Sequence, residues 1–182
     1  MTQTSVKFVM DAGYPGTFAS SNGSRVIRGS LLPYYNLSGG LIKFGRPVVK
    51  IAGQTNQVEL PNDDTRTPIG IASYASFSIA GFPIDDDTQQ GYPNEELMNI
   101  FTEGLDDIWV ELEPGVTIAP GDVVYYRHTA PGSEEIGWFT NADSANHGLW
   151  SGVNFITPDL TLGTGAGQLK IAAINISDSA MV

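Results

Sequence analysis

From residue 41 onward the apolar residues fall in short runs, each bounded by turn residues. Leu41–Phe44 and Val48–Ile51 flank Gly45-Arg46-Pro47, and Gln57–Leu60 stops at Pro61 ahead of an Asn62-Asp63-Asp64 turn. Within Ile69–Ile79 the residues Ile71, Ser73, Ala75, Phe77 and Ile79 share one face. Asp107–Glu113 alternates most cleanly, with Ile108, Val110 and Leu112 pointing one way and Asp107, Trp109, Glu111 and Glu113 the other. Val123–His128, Gly137–Thr140, Val153–Thr157 and Leu169–Ile176 complete the series. Period-two alternation with turn signals roughly every 8–12 residues marks a sandwich or barrel. Asn94–Phe101 is compatible with a short helix capped by Asn94, and reads equally well as the approach to a strand. The expected fold is all-β, a small β-sandwich or barrel.

Residues 1–40 follow a different pattern. Gly13, Pro15, Gly16, Gly23, Gly29, Pro33, Gly39 and Gly40 interrupt the segment too often for a helix. Phe8, Tyr14, Phe18, Tyr34 and Tyr35 are spaced through it as apolar anchors. Two readings fit: an extended N-terminal arm that orders against another surface, or a long loop packed on its own domain. The expected organisation is an arm over 1–40 and a β-rich body over 41–182. Pro114-Gly115 and Pro120-Gly121-Asp122 are tight turns flanking a short crossing segment, which predicts a corner between two strands.

Charge sharpens this division. The 182 residues carry 9 Lys and Arg against 20 Asp and Glu, a formal net charge of −11. Residues 1–58 account for +5, residues 59–135 for −14 and the remainder for −2. An acidic body disfavours duplex nucleic acid and anionic membranes as partners. A cationic first third ahead of an acidic middle suits oriented docking or self-association. No apolar run is long enough to cross a membrane as a helix, and the first ten residues lack the pattern of a secretory signal.

Catalytic chemistry is sparse. With no cysteine there is no thiol nucleophile, disulfide or thiolate metal site. His128 and His147 are the only histidines, without ligand spacing; His128 reads as a strand-end residue and His147 as part of a turn. No Gly-x-Ser-x-Gly elbow occurs. The Gly163–Gly167 run lacks the Lys-Ser/Thr ending of a phosphate loop and reads as a hairpin connection. Asp85-Asp86-Asp87 offers oxygen ligands suited to weak Ca²⁺ binding, but no register completes an EF-hand loop. Solvated loop acids are the simpler reading, and no cofactor is expected. Trp109, Trp138 and Trp150 are candidate platforms for sugar, Trp109 foremost because it lies on the polar face of its strand. The competing reading has Trp109 covered by the arm or by a subunit interface. A carbohydrate-binding or adhesin-like β-sandwich therefore stands as the alternative function.

The order of motifs resembles the capsid cement, or head decoration, proteins of tailed bacteriophages. Asp107–Ser144 resembles that family's strand of alternating Val and Glu, its PGD-x-VY-x-R stretch and its G-x-F segment with a following DAD. Ile118 stands where the pattern has Val, and Asn141 where it has Asp. Phe44–Val49, Gln57–Tyr74, Tyr14-Pro15-Gly16 and Leu169–Ile176 resemble further family segments in the same order. The resemblance implies a non-enzymatic virion protein, made in the host cytoplasm, on the outer surface of an icosahedral head. Its implied partners are the major capsid protein, whose contacts it reinforces, and itself as a homo-oligomer, a trimer being favoured. Docking of the arm on either partner would make Arg25, Arg28, Lys43, Arg46 and Lys50 candidate ionic contacts. Phe8, Tyr14, Phe18, Tyr34 and Tyr35 would be its candidate anchors.

Overall fold

The computed structural model describes residues 15–17, 28–29, 34–73, 91–103, 107–132, 135–162 and 168–176. Among them there are strands and turns and no helix. The first half contributes β1 (Arg28–Gly29), β2 (Tyr34–Asn36), β3 (Ile42–Lys43), β4 (Pro47–Lys50), β5 (Gln57–Glu59) and β6 (Gly70–Ala72). Next come β7 (Gly91–Tyr92), β8 (Leu97–Met98), β9 (Ile100–Glu103) and β10 (Asp107–Glu111). The last third holds β11 (Val123–Arg127), β12 (Phe139–Thr140), β13 (His147–Phe155), β14 (Leu160–Leu162) and β15 (Leu169–Asn175).

The fold is all-β, with two sheets that each nearly close. The first has the order β1-β9-β6-β4-β5-β2-β8. Since only Asn99 separates β8 from β9, the chain itself joins the far strand back to the near end. Its pairs are antiparallel except β2 with β5. The second sheet has the order β10-β15-β13-β11-β12, with β14 added to β15. A parallel bridge from Leu112 to Phe139 returns β12 to the end of β10 and curls this sheet into a barrel. β3 and β7 form a separate pair.

Side-chain parity explains how the sheets share a core. Ala72 and Ile100, paired across β6 and β9, turn into the first sheet with Tyr34, Ile42, Val48, Val58 and Met98. Their neighbours Ile71 and Phe101, also paired, turn the other way into the larger core. There they meet Ile108, Val110 and Leu112, the apolar face expected for β10, together with Val124, Tyr126, Phe139 and Trp150. The opposite face of β10 is covered as well: Trp109 packs with Ile171 and Ala173 beneath Ile156, Leu162 and Leu169.

The Asn94–Phe101 ambiguity resolves in favour of strands. Pro93–Glu96 is a turn, Glu95 adopts φ 67°, and β8 and β9 follow. A helix here would have wasted Met98 and Ile100, which this fold buries in the first core. His147, expected in a turn, instead opens β13 as a buried residue, and the turn lies before it. β2 lies within the Gly-rich first forty residues and is an integral strand of the first sheet.

Candidate interaction surface

The seam between the sheets is held by buried charge. Arg46 follows Gly45 in the link from β3 to β4 and is only 1% exposed. Its Nη2 donates to Glu111 of β10 and to Glu135, each at 2.7 Å, and its Nη1 donates to the Ile136 carbonyl. The guanidinium lies 5.6 Å from the Trp138 ring centre, and Trp138 Nε1 donates to Glu111 at 2.9 Å. Burial lowers the Arg46 pKa below the ordinary guanidinium value, opposed by the Glu111 and Glu135 carboxylates. Lys43 caps the same Glu135 at 2.8 Å. Two sheets are thus clamped by one cation shared between two carboxylates, which offset part of its desolvation.

A second network lies inside the second sheet. Glu113 Oε1 accepts from Arg127 Nε at 2.6 Å and meets His147 Nε2 at 2.7 Å. His147 Nδ1 lies 2.9 Å from Ser144 Oγ and 3.0 Å from the Ala142 carbonyl. Ser144, His147 and Glu113 have the order of nucleophile, base and orienting carboxylate. Here, however, Glu113 is already paired with Arg127, and the Nδ1 side of the ring faces the Ala142 carbonyl. The arrangement ties the turn before β13 to the barrel.

An N-terminal strap crosses the seam. Gly16 N donates to the Trp109 carbonyl at 2.7 Å, and Trp109 N donates to the Thr17 carbonyl at 2.9 Å. The strap therefore continues the second sheet beyond β10. Gly16 has φ +82°, and a Cβ there would lie 2.8 Å from the Ala72 carbonyl and 2.9 Å from Gly45 N. Gly45, φ +78°, is equally confined, with Pro15 Cβ 2.5 Å from where its own Cβ would be. Two glycines interlock because neither site has room for a side chain.

The ten candidate contacts separate in this framework. Phe8, Tyr14, Phe18 and Arg25 lie outside the described residues, as does Asp85–Asp87, and Arg28 opens β1. Tyr34 is buried in the first core and Arg46 is turned inward, so neither presents surface. Lys43 is engaged with Glu135 but partly open to solvent, whereas Lys50 is exposed at the end of β4. Tyr35 is the exposed aromatic among them, at 37%, directly opposite Leu97 on β8. On the second sheet Val123 and Leu149 are exposed, Leu149 opposite Tyr125. Of the tryptophans considered for sugar stacking, Trp150 is fully buried, Trp109 is 8% exposed, and Trp138 is partly exposed with its ring against Arg46. Sequence reasoning missed the roles of Glu111, Glu113 and His147; the only hint was carboxylates sharing a strand face with Trp109.

The chain matches the structural cement protein family (E217 gp24/Pam3 gp6) over residues 2–176. It belongs to that family. Cement proteins are structural proteins of the phage virion, associated with the capsid. The fold is also similar to a chain in a solved structure described as "The capsid of Myoviridae Phage XM1". The TM-score is 0.56 at 16% identity, covering 94% of this chain and 96% of that one. No curated protein matches the sequence. Among the described residues no group of three or more His, Cys, Asp or Glu side chains is arranged to hold a metal ion. No helix among them is long and apolar enough to cross a membrane.

Proposed function

We propose that this cement protein binds the outer surface of an icosahedral phage head and reinforces contacts between major capsid protein subunits, without enzymatic activity. The observation that carries this reading is the family match over nearly the whole chain. A ligand that binds the assembled lattice and not free subunits stabilises assembly by mass action, and many copies on one lattice multiply the effect. The protein acts as a homotrimer made in the host cytoplasm, with neither nucleic acid nor membrane as partner. Lys43 and Lys50 supply contacts from the body, and Phe8, Tyr14, Phe18, Arg25, Arg28 and Tyr35 from the first forty residues.

The test uses heads that lack the protein. Added back, it should bind them saturably and raise their resistance to heat or osmotic shock; absence of binding across a range of salt overturns the reading. Light scattering of the purified protein at working concentration checks the trimer, and a monomer removes that element. Arg25→Glu with Arg28→Glu should weaken attachment and alter its salt dependence. Unchanged attachment would remove those two side chains from the interface.

A further inference from the structure

Tyr35 and Leu97 face each other across β2 and β8, and each is 37% exposed. Gln57 is the partner of Tyr35 on the other side, so the row Gln57–Tyr35–Leu97 lies along one face of the first sheet. Next to Leu97 in the chain are Glu95 and Glu96, both exposed and, among the described residues, without a cationic partner. Lys43, Arg46, Arg66 and Lys170 are all committed to other carboxylates.

This corner is rigid because Asn36, between Tyr35 and the following loop, is fully buried and fully bonded. Its Nδ2 donates to the Gly40 carbonyl at 2.7 Å and to the Tyr92 carbonyl at 2.8 Å. Its Oδ1 accepts from Ser38 N, its own N donates to the Glu96 carbonyl, and its carbonyl accepts from Glu95 N. Asn94 Oδ1 in turn accepts from Gly39 N. One buried amide therefore pins the 37–41 loop and the 93–96 turn together, and fixes the backbone beneath Tyr35, Leu97 and the two glutamates.

We propose that this Asn36-pinned corner docks on the head's shell subunit, at a cationic surface with an apolar recess that receives Tyr35 and Leu97. The inference rests on the proposed attachment to the head and names the face that makes it. The occupant follows from the chemistry displayed. An aromatic held on a fixed backbone loses little freedom on binding and supplies the apolar anchor. Two exposed carboxylates that no described cation pairs set the sign of the partner, since Lys or Arg at the rim would satisfy both. Glu95 bears on this from another side: at φ 67° a glutamate is strained where glycine would be at ease. The strained residue sits in an exposed turn, and among the described residues its carboxylate has no hydrogen-bond or ion-pair partner.

The test measures attachment of three variants to heads lacking the protein, with melting temperature recorded for each. Tyr35→Ser should weaken attachment at least about tenfold, the effect of losing a central aromatic anchor. Glu95→Gly should melt at the same or a higher temperature yet attach more weakly, a combination that a structural role would not produce. Glu95→Gln with Glu96→Gln should weaken attachment and reduce its salt dependence. Unchanged attachment in all three, with the parent protein binding normally, overturns the proposal. Loss of self-association with head attachment intact assigns the corner to a second copy and equally overturns it. Failure of the parent protein to bind heads is a different result, and falls on the proposed function instead.

Discussion

Replacing Gly45 with alanine should release the strap from the seam. Two costs add. At φ +78° the new side chain meets the left-handed penalty, about 1–2 kcal/mol for an L-residue. Its Cβ would also lie 2.5 Å from Pro15 Cβ, far inside van der Waals contact, so Pro15–Thr17 must lift. Lifting breaks the two backbone bonds between the strap and Trp109, each worth about 1 kcal/mol net. The sum is about 3–4 kcal/mol, which for a chain of this size lowers Tm by roughly 6–16 °C. Gly53 separates the terms: its φ is +76°, but nothing lies within 4 Å of a Cβ placed there. Gly53→Ala should therefore cost only the backbone penalty, about 1–2 kcal/mol or roughly 2–8 °C. Calorimetry of both variants gives the comparison, and hydrogen exchange at the Trp109 amide, which bonds the Thr17 carbonyl, reports the strap directly. Equal melting shifts for the two variants, with Trp109 protection unchanged in Gly45→Ala, would refute the interlock.

Arg46→Ala leaves the largely buried Glu111 without its cation and should cost up to about 3–5 kcal/mol. Arg46→Met combined with Glu111→Gln should cost less than Arg46→Ala alone, a comparison that denaturant titration makes directly. Burial, reinforced by Asp63 and Asp64, pushes the Tyr126 hydroxyl up to about 12. The unfolded chain ionises first as pH rises past the ordinary value of about 10, so this contribution to stability is whole below that pH and is lost above it. Tyr126→Phe should flatten the alkaline fall in the urea midpoint, while losing the 2.7 Å bond to the Arg66 carbonyl at every pH. Identical alkaline slopes would refute the assignment. The Asp159 carboxyl is held below its usual range, first by Lys170 and then by the Ile118 amide. That stabilisation is present above the ordinary carboxylate range and disappears as pH falls through the lowered value. Asp159→Asn should accordingly lower Tm at neutral pH and narrow its difference from Tm at acid pH; an undiminished acid dependence counts against it.

The first network shows why much of the interior was illegible in one dimension. Arg46 lies in a segment whose excess of cations suggested surface contact, yet its partners come from Glu111 and Glu135, which only folding brings near. His147 sat among turn residues in the sequence, and its burial depends on Glu113, far back along the chain. Parity set Trp109 on the face opposite Ile108 and Val110; what parity does not carry is that Ile171, Ala173, Ile156, Leu162 and Leu169 surround it there and bury it. Tyr34 and Tyr35 look equivalent in a Gly-rich segment, but on β2 one turns into the core and the other to solvent.

The all-β class, most strand positions and the face of β10 that enters the core were legible along the chain, because side-chain alternation is a local property of extended backbone. The order of its turns and strands also carried the family. Tertiary structure decided the closure of the two sheets, the strap across their seam and the separation of inward from outward charges. Each of these depends on contacts between residues distant in the chain, and the sign of a buried charge's contribution depends on whether such a partner arrives.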